Sequence, residues 1–162
     1  MERLWAGWRM AYLRADPPAG DDCVLCAIPG AGHVQSVHVV ERAELTYTVL
    51  NLFPYASGHL MVVPYAHAAH VTDLDAATAA ALIHGGQRAV RALERSHGPA
   101  GFNLGINHGR VAGAGIDGHC HLHVVPRWEG DNNFMPVLGD TRVLPEALDA
   151  TADRIRAGYG GG

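Results

Sequence analysis

Three histidines alternate with other residues in the segment His119-Cys120-His121-Leu122-His123. In an extended strand, successive side chains point to opposite faces, so this spacing places all three imidazoles on one face, with neighbouring rings roughly 6 to 7 Å apart. Imidazole serves near neutral pH as a nucleophile, a proton carrier or a metal ligand. At that spacing one phosphate group can hydrogen-bond to more than one ring. The cluster therefore indicates a surface that handles anions.

A second arrangement of reactive side chains is the C-x-x-C pair, Cys23 and Cys26. This spacing suits a metal site or a redox pair better than a structural disulfide framework. A tetrahedral zinc ion would need two further nitrogen or sulfur donors, and four protein ligands would leave no open catalytic position. We therefore expect a structural zinc site, with two reduced, metal-free thiols or a redox pair as the alternative.

The composition limits which other groups can bind anions. All 12 cationic side chains are Arg, whereas 11 residues are His, and the net charge is −4. The absence of Lys excludes a Schiff-base or Walker-type lysine mechanism within this chain. The acidic balance disfavours DNA or RNA as a partner. A glycine-rich stretch over residues 109–118 precedes the histidines, and its backbone N–H groups are candidate anion donors.

The elements that position these residues predict an α+β fold. A length of 162 residues is that of one domain, 1–162, with residues 1–22 packing on it and 158–162 forming a flexible tail. Short apolar runs predict strands over 37–41, 47–51, 59–64, 102–107 and 119–126. One long helix should follow Thr72 as N-cap, be loosened at Gly85-Gly86 and stop at Gly98. A short helix is expected over 144–157.

Targeting signals are not evident in the sequence. Residues 1–13 lack the unbroken apolar core of a secretory signal, and no apolar run approaches the ~20 residues that a membrane helix requires. The odd number of cysteines does not suit a disulfide framework. We therefore expect a cytoplasmic protein without a membrane partner.

The His-x-His-x-His-x-x pattern closely resembles the signature of the histidine triad (HIT) superfamily of nucleotidyl hydrolases and transferases. Residues 51–64 resemble the nucleoside-binding hairpin of that family, and residues 107–118 resemble its phosphate-side loop. Residues 5–12 and 125–128 are similar to a bacterial subgroup described as diadenosine tetraphosphate phosphorylases. The resemblance implies an antiparallel sheet of about five strands, one long helix and a short C-terminal helix.

The resemblance also implies roles within the triad. His121 would attack the α-phosphorus of a nucleotide and form a covalent nucleotidyl-imidazole, with water or inorganic phosphate as the second acceptor. His123 would hydrogen-bond the non-bridging oxygens or orient the nucleophile, and His119 completes the triad. Asn51 would bind the ribose and Asn107 would lie beside the phosphates. Further nucleotide contacts are expected from the loop glycines Gly113, Gly115 and Gly118.

The same resemblance supplies the missing zinc ligands. Members of the superfamily and related uridylyltransferases combine a cysteine pair with a histidine after the hairpin strand and with the first triad histidine. Here those histidines would be His67 and His119, with His70 as an alternative to His67. No organic cofactor is implied. The family also implies a homodimer formed through its helix and an edge strand.

The glycine-rich loop departs from the common family pattern. Many members carry Gly-Gln-Ser or Gly-Gln-Thr before the triad, whereas this chain has Gly113-Ala114-Gly115-Ile116-Asp117-Gly118. Asp117 adds negative charge where a polyphosphate should lie, and it could face away, carry a proton to the leaving group or be solvated. Two other functions stay open: a hydrolase in which the three histidines bind a catalytic metal, and a nucleotide-binding module with negligible turnover.

Overall fold

The computed structural model describes residues 23–30, 32–131 and 146–160. Residues 1–22, which we expected to pack on the domain, lie outside the described part of the chain. Among the described residues, no helix combines the length and apolarity required to cross a bilayer.

In the described residues, five strands form one antiparallel sheet in the order β1-β2-β3-β5-β4. The strands are β1 (Val39–Arg42), β2 (Thr46–Leu50), β3 (Leu60–Pro64), β4 (Gly101–Ile106) and β5 (Leu122–Arg127). The helices are α1 (Val24–Ala27), α2 (Ala76–His97) and α3 (Leu148–Tyr159). The α+β prediction is confirmed, and the first three strands form an antiparallel meander.

Helix α2 begins later than the sequence predicted. Its N-cap is Asp75, whose carboxylate accepts a hydrogen bond from the Thr78 N–H at 2.7 Å. The prediction of Thr72 as N-cap is wrong because Val71–Asp73 forms a separate 3₁₀ turn before the helix. The predicted stop is confirmed, since Gly98 adopts the left-handed conformation at φ 55° and caps the helix.

Gly85 and Gly86 let helix α2 lie close to the sheet. The helix continues through them, so the predicted loosening does not occur. A Cβ atom on Gly85 would lie 2.6 Å from Val62 Cγ1, and one on Gly86 would lie 2.8 Å from Leu122 Cδ2. Both glycines are therefore needed for the close approach of helix and sheet.

Helix α3 packs against α2 and includes two residues that the sequence placed in a flexible tail, Gly158 and Tyr159. A Cβ atom on Gly158 would lie 2.5 Å from the Ala92 carbonyl oxygen, and the Gly158 carbonyl accepts a hydrogen bond from Arg95 Nε at 2.8 Å. These contacts fix the end of α3. The helix starts at Leu148, and the predicted start at 144 lies outside the described residues.

The sheet has two covered faces. Beneath α2 and α3 lies an aliphatic core that includes Leu60, Val62, Leu122 and Val124. The opposite face carries a second cluster in which β2 and β3 pack against Leu25 and Ile28 around α1. Because side chains alternate along β5, His121 and His123 belong to this second face.

Candidate active site and metal centre

The triad segment enters the sheet later than predicted. Strand β5 begins at Leu122, so the predicted strand is wrong for residues 119–121. Within the described part of the chain, these residues do not pair with a neighbouring strand of the sheet. The Cys120 N–H instead donates a hydrogen bond to the Ala68 carbonyl oxygen at 2.7 Å. The ring centroids of His121 and His123 are 4.7 Å apart, which is closer than the predicted 6 to 7 Å, because the rings lean together edge to face.

His121 is held in one orientation by the backbone. Its Nδ1 lies 2.9 Å from the His119 carbonyl oxygen, which can only accept, so Nδ1 carries the proton and Nε2 keeps its lone pair. The side chain is almost fully buried, with 5% exposure. Burial lowers the pKa of His121, and the bond to the carbonyl raises it by a smaller amount. His121 is thus a neutral imidazole with a basic Nε2 near pH 7.

His123 is oriented by a second histidine, His59. The Tyr55 N–H donates to His59 Nδ1 at 3.1 Å, so the proton of His59 lies on Nε2. That Nε2 donates to His123 Nδ1 at 2.9 Å, and the proton of neutral His123 therefore lies on its Nε2. Burial, followed by the neighbouring His121, lowers the pKa of His123 to about 4. At neutral pH His123 is a fixed, uncharged N–H donor.

Asn107 places a second donor beside His123. Its Nδ2 lies 3.4 Å from His123 Nε2 and also donates to the Gly113 carbonyl at 3.4 Å. Asn107 Nδ2 bears two hydrogens and uses one on Gly113, so the other is available to donate beside the His123 Nε2–H. Two donors that converge in this way suit one shared acceptor, such as a phosphate oxygen.

A cavity of about 510 Å³ adjoins the triad. Both His121 and His123 line it, together with Asn51 and the loop glycines Gly113 and Gly115. Its apolar walls come from sequence-distant elements: Val24, Leu25 and Ile28 around α1, Phe53, Met61 and Ile116. The volume lies within the range of small-molecule sites. The predicted residue Gly118 is exposed and lies outside the lining.

Four donors form a separate cluster beside the cavity. The ligand atoms of Cys23, Cys26, His67 and His119 all lie within 4.8 Å of one another. His119 Nδ1 is 3.3 Å from Cys23 Sγ and 3.5 Å from Cys26 Sγ, and His67 Nδ1 is 3.3 Å from Cys26 Sγ. Tetrahedral zinc would separate nitrogen and sulfur ligands by about 3.6 Å. The cluster could therefore hold such an ion.

The surroundings of the cluster also suit a cation. His119 Nε2 donates to the Pro64 carbonyl at 2.9 Å, which directs Nδ1 toward the thiols. Desolvation and the adjacent Cys23 raise the pKa of the Cys26 thiol, so two thiolates would need a cation to hold them. The ring of His70 instead contacts that of His108 edge to face, with the centroids 4.2 Å apart, so the geometry selects His67 rather than His70.

Each of the three triad histidines has a different hydrogen-bond partner. His119 faces the thiols, the Nδ1–H of His121 donates to a backbone carbonyl, and His123 Nδ1 accepts a hydrogen bond from His59. The geometry does not favour the alternative in which all three histidines bind one catalytic metal.

A family model for the HIT domain matches residues 33–130. The chain belongs to the HIT family. It is 40% identical over 158 residues to AP-4-A phosphorylase of Mycobacterium tuberculosis, covering 93% of this chain and 80% of that protein. It is 30% identical to adenosine 5'-monophosphoramidase hnt1 of Schizosaccharomyces pombe, covering 82% of this chain and 95% of the relative.

The solved structures include other HIT proteins. A Zn-bound histidine triad family protein from Mycobacterium smegmatis superposes with a TM-score of 0.72 at 29% identity, covering 86% of this chain and 94% of that chain. The resemblance stated from the sequence is therefore confirmed for family and fold.

In this HIT protein, the unusual acidic residue of the glycine-rich loop has a partner. Asp117 accepts a hydrogen bond from Arg110 Nε at 2.9 Å, and both side chains are about half exposed. The loop thus neutralises the charge of Asp117 within itself. Of the three roles considered for Asp117, the geometry favours a solvated carboxylate, here paired with Arg110.

Sequence reasoning missed His59 as a site residue with a defined contact. It is fully buried and lies 64 positions from His123 along the chain. The pairing of β3 with β5 places Met61 opposite His123, which brings His59, just before β3, to the same end of the sheet. The predicted hairpin contained His59, but its contact with His123 depends on strand register.

Proposed function

We propose that the protein is a nucleotidyl hydrolase or transferase that cleaves a dinucleoside polyphosphate, such as diadenosine tetraphosphate, through a covalent nucleotidyl-His121 intermediate. One observation carries the proposal. The backbone bond at His121 Nδ1 leaves the Nε2 lone pair on a buried, neutral imidazole that lines the cavity of about 510 Å³ beside the triad. The 40% identity to an AP-4-A phosphorylase supports the substrate class.

In the first step, His121 Nε2 attacks the α-phosphorus. A P–N bond forms, the P–O bond to the bridging oxygen breaks, and the remaining polyphosphate leaves with that electron pair. The His123 Nε2–H and the Asn107 amide N–H would donate to the non-bridging oxygens, where negative charge develops. Both donors are already oriented in the folded protein, which reduces the reorganisation needed in the transition state.

In the second step, an acceptor oxygen attacks the same phosphorus and the P–N bond breaks with its electron pair returning to Nε2, which restores neutral His121; a proton carried by the attacking acceptor passes to solvent. Water as acceptor gives hydrolysis and inorganic phosphate gives phosphorolysis. His59 acts on this chemistry through His123, because it sets which nitrogen of His123 bears the proton. Asn51 would bind the ribose hydroxyls, and the backbone around Gly113 and Gly115 would contact the phosphates.

We further propose that the metal is structural zinc, bound by Cys23, Cys26, His67 and His119. The donor set and the Zn-bound relative support this. When bound, the ion supplies a crosslink, and the chain's own residues do the chemistry. No organic cofactor enters the proposed reaction. Metal analysis of the purified protein, before and after a chelator, tests the proposal, and about one zinc per chain is expected.

We propose a cytoplasmic homodimer, formed through α2 and an edge strand, with a nucleotide rather than DNA or RNA as its partner. Light scattering on the purified chain tests the assembly. A monomer mass at micromolar concentration would contradict it.

A product assay tests the proposed reaction. Diadenosine tetraphosphate is incubated with the protein with and without inorganic phosphate, and products are separated by chromatography. ADP with ATP indicates phosphorolysis, and AMP with ATP indicates asymmetric hydrolysis. The His121→Ala variant should yield neither, whereas His84→Ala, an exposed histidine of α2, should behave as wild type. Full activity in His121→Ala would contradict the mechanism, and binding without products would favour a nucleotide-binding module.

A further inference from the structure

The metal cluster of Cys23, Cys26, His67 and His119 is open to solvent on one side. Cys26 and His67 are exposed, Cys23 is partly buried, and His119 is fully buried. The two thiol sulfurs lie within 4.8 Å of each other. The pair adjoins the sheet face opposite α2, so a dimer formed through α2 would leave it accessible. A small dissolved oxidant can therefore reach two thiols that have the spacing of a redox motif.

The cysteine pair brackets one wall of the cavity beside the triad. Cys23 precedes α1 and Cys26 lies within it. Val24 and Leu25, between the two cysteines, line that cavity together with Ile28. A covalent change at the two thiols therefore acts directly on the backbone that carries the cavity wall.

Helix α1 depends on tertiary contacts for its position, because its four residues are too few to form a stable helix alone. Leu25 and Ile28 pack against β2 and β3, and the Tyr47 hydroxyl donates to the Leu25 carbonyl at 2.5 Å. An ion bound by the cluster would add a crosslink from α1 to His67 and His119. Loss of that crosslink should make α1 the part of the cavity wall that opens first.

We propose that Cys23 and Cys26 form an oxidative modification site. A peroxide converts the pair to a disulfide, zinc is released, and α1 loosens from the sheet so that nucleotide binding weakens. This inference rests on the proposed zinc centre, and its effect on binding rests on the proposed function. The disulfide joins two positions at α1 and does not replace the crosslink to His67 and His119. A thiol reductant together with zinc reverses the change.

The oxidation consumes one peroxide and two thiolates. The Cys26 thiolate, which is the exposed one, attacks an oxygen of hydrogen peroxide: an S–O bond forms, the O–O bond breaks and hydroxide leaves. The Cys23 thiolate then attacks the Cys26 sulfur, the S–S bond forms, the S–O bond breaks and a second hydroxide leaves. The sulfurs lose two electrons and the peroxide gains them. The disulfide carries no thiolate ligand, so His67 and His119 alone cannot hold the ion.

The first test follows the ion and the thiols. The zinc-loaded full chain is treated with hydrogen peroxide, released zinc is measured with a chromogenic chelator, and the cysteines are mapped by differential alkylation and mass spectrometry. We expect about one zinc ion released per Cys23–Cys26 disulfide. Cys120 is the internal control, because it is only 3% exposed and should stay reduced.

The second test follows the cavity wall. Amide hydrogen exchange of the peptide containing α1 should become about tenfold faster or more after oxidation, while exchange in α2 stays unchanged. The dissociation constant of AMP, measured by calorimetry, should rise by about threefold to tenfold. Dithiothreitol with zinc should restore both values. That reversal excludes oxidation of Met61, which also lines the cavity, because dithiothreitol does not reduce its sulfoxide under these conditions.

A variant pair separates the thiol from its position. Cys26→Asp keeps a zinc ligand at an exposed position but cannot form the disulfide, so it should retain zinc, exchange rates and AMP affinity in peroxide. Ala27→Asp, at the next exposed position of α1, adds the same charge and keeps both thiols, so it should respond like the wild type. If Cys26→Asp does not hold zinc, the reversal of the wild type by dithiothreitol with zinc decides.

Zinc that stays bound in peroxide, or α1 exchange that is unchanged after zinc leaves, would overturn the inference. A chain that never holds zinc would refute the proposed zinc centre and this inference with it. A wild type that releases zinc with faster α1 exchange, but binds no AMP before oxidation, would refute the proposed function and still support the modification site.

Discussion

The sheet face beneath α2 and α3 and the face beneath α1 share strands β3 and β5 but differ in what they bury. The first buries mainly aliphatic side chains, together with threonines such as Thr46. The second also encloses His59, His121 and His123, each less than one tenth exposed. Apolar burial provides most of the folding free energy, whereas a buried imidazole is favourable only when its hydrogen bonds are satisfied. The comparison indicates that the helix-covered face stabilises the fold and that the other face performs the chemistry.

Neighbouring residues of one segment show the same division. Leu122 packs beneath α2, while His121 and His123 on either side of it face the cavity. Substitutions one position apart should therefore affect different properties, activity at His121 and stability at Leu122.

The largest effect is expected on activity, at His121. His121→Ala removes the nucleophile and should lower kcat by at least about 10³-fold. The free energy of unfolding should fall by only about 1 to 2 kcal/mol, the scale of one buried hydrogen bond. Steady-state kinetics and urea unfolding on the same preparation measure both. A large loss of stability with modest loss of activity would break the division between the faces.

The converse result is expected at Leu122. Leu122→Ala leaves a cavity beneath Gly86 and should lower the free energy of unfolding by about 2 to 5 kcal/mol. The folded fraction should keep its turnover, because the side chain faces away from the site. Urea unfolding and assays at low temperature check this. Loss of turnover in a fully folded variant would show that the two faces are coupled.

A smaller, pH-dependent effect is expected at His123. Its folded-state pKa of about 4 lies below the ordinary value of 6.5, so the unfolded chain binds the proton first as pH falls. The free energy of unfolding therefore falls progressively as the pH drops from 6.5 to 4, by up to about 3 kcal/mol, because the buried imidazole stays neutral while the unfolded one gains a proton. His123→Gln should flatten the pH dependence of unfolding in that window. Superimposable profiles for wild type and variant would contradict the buried, neutral state of His123.

The smallest effect is expected at the start of α2, away from the site. Asp75→Ala removes the N-cap and should lower the free energy of unfolding by about 1 kcal/mol, with unchanged kinetics. Thr72→Ala is the matched control and should change neither property, because Thr72 precedes the helix. If both variants lowered the free energy of unfolding equally, Thr72 would contribute to the cap, as the sequence predicted.

The elements that local patterns specify could be predicted from the sequence. Alternation predicted that His121 and His123 share one face, and Gly98 marked the end of α2, because both signals act over a few residues. Thr72 and Asp75 are both good N-caps three positions apart, and only the 3₁₀ turn Val71–Asp73, which includes Thr72, decides which one is used.

The contacts that orient the site could not be predicted in this way. Cys23 meets His119 across 96 positions and His59 meets His123 across 64 positions. Which nitrogen faces which partner follows from the register between strands and from the path of residues 65–70, and no local pattern encodes either. The same limit explains why the resemblance named His67 as a ligand but left His70 as an alternative.

The central claim is that His121 carries the nucleotidyl group between the two steps. Rapid mixing with diadenosine tetraphosphate in the absence of phosphate, an alkaline quench that preserves the P–N bond, and mass spectrometry of the peptides test it directly. We predict one nucleotidyl group on the peptide containing His121, absent in His121→Ala and lost when phosphate is added. Turnover without any adduct, or an adduct on another residue, would contradict the account.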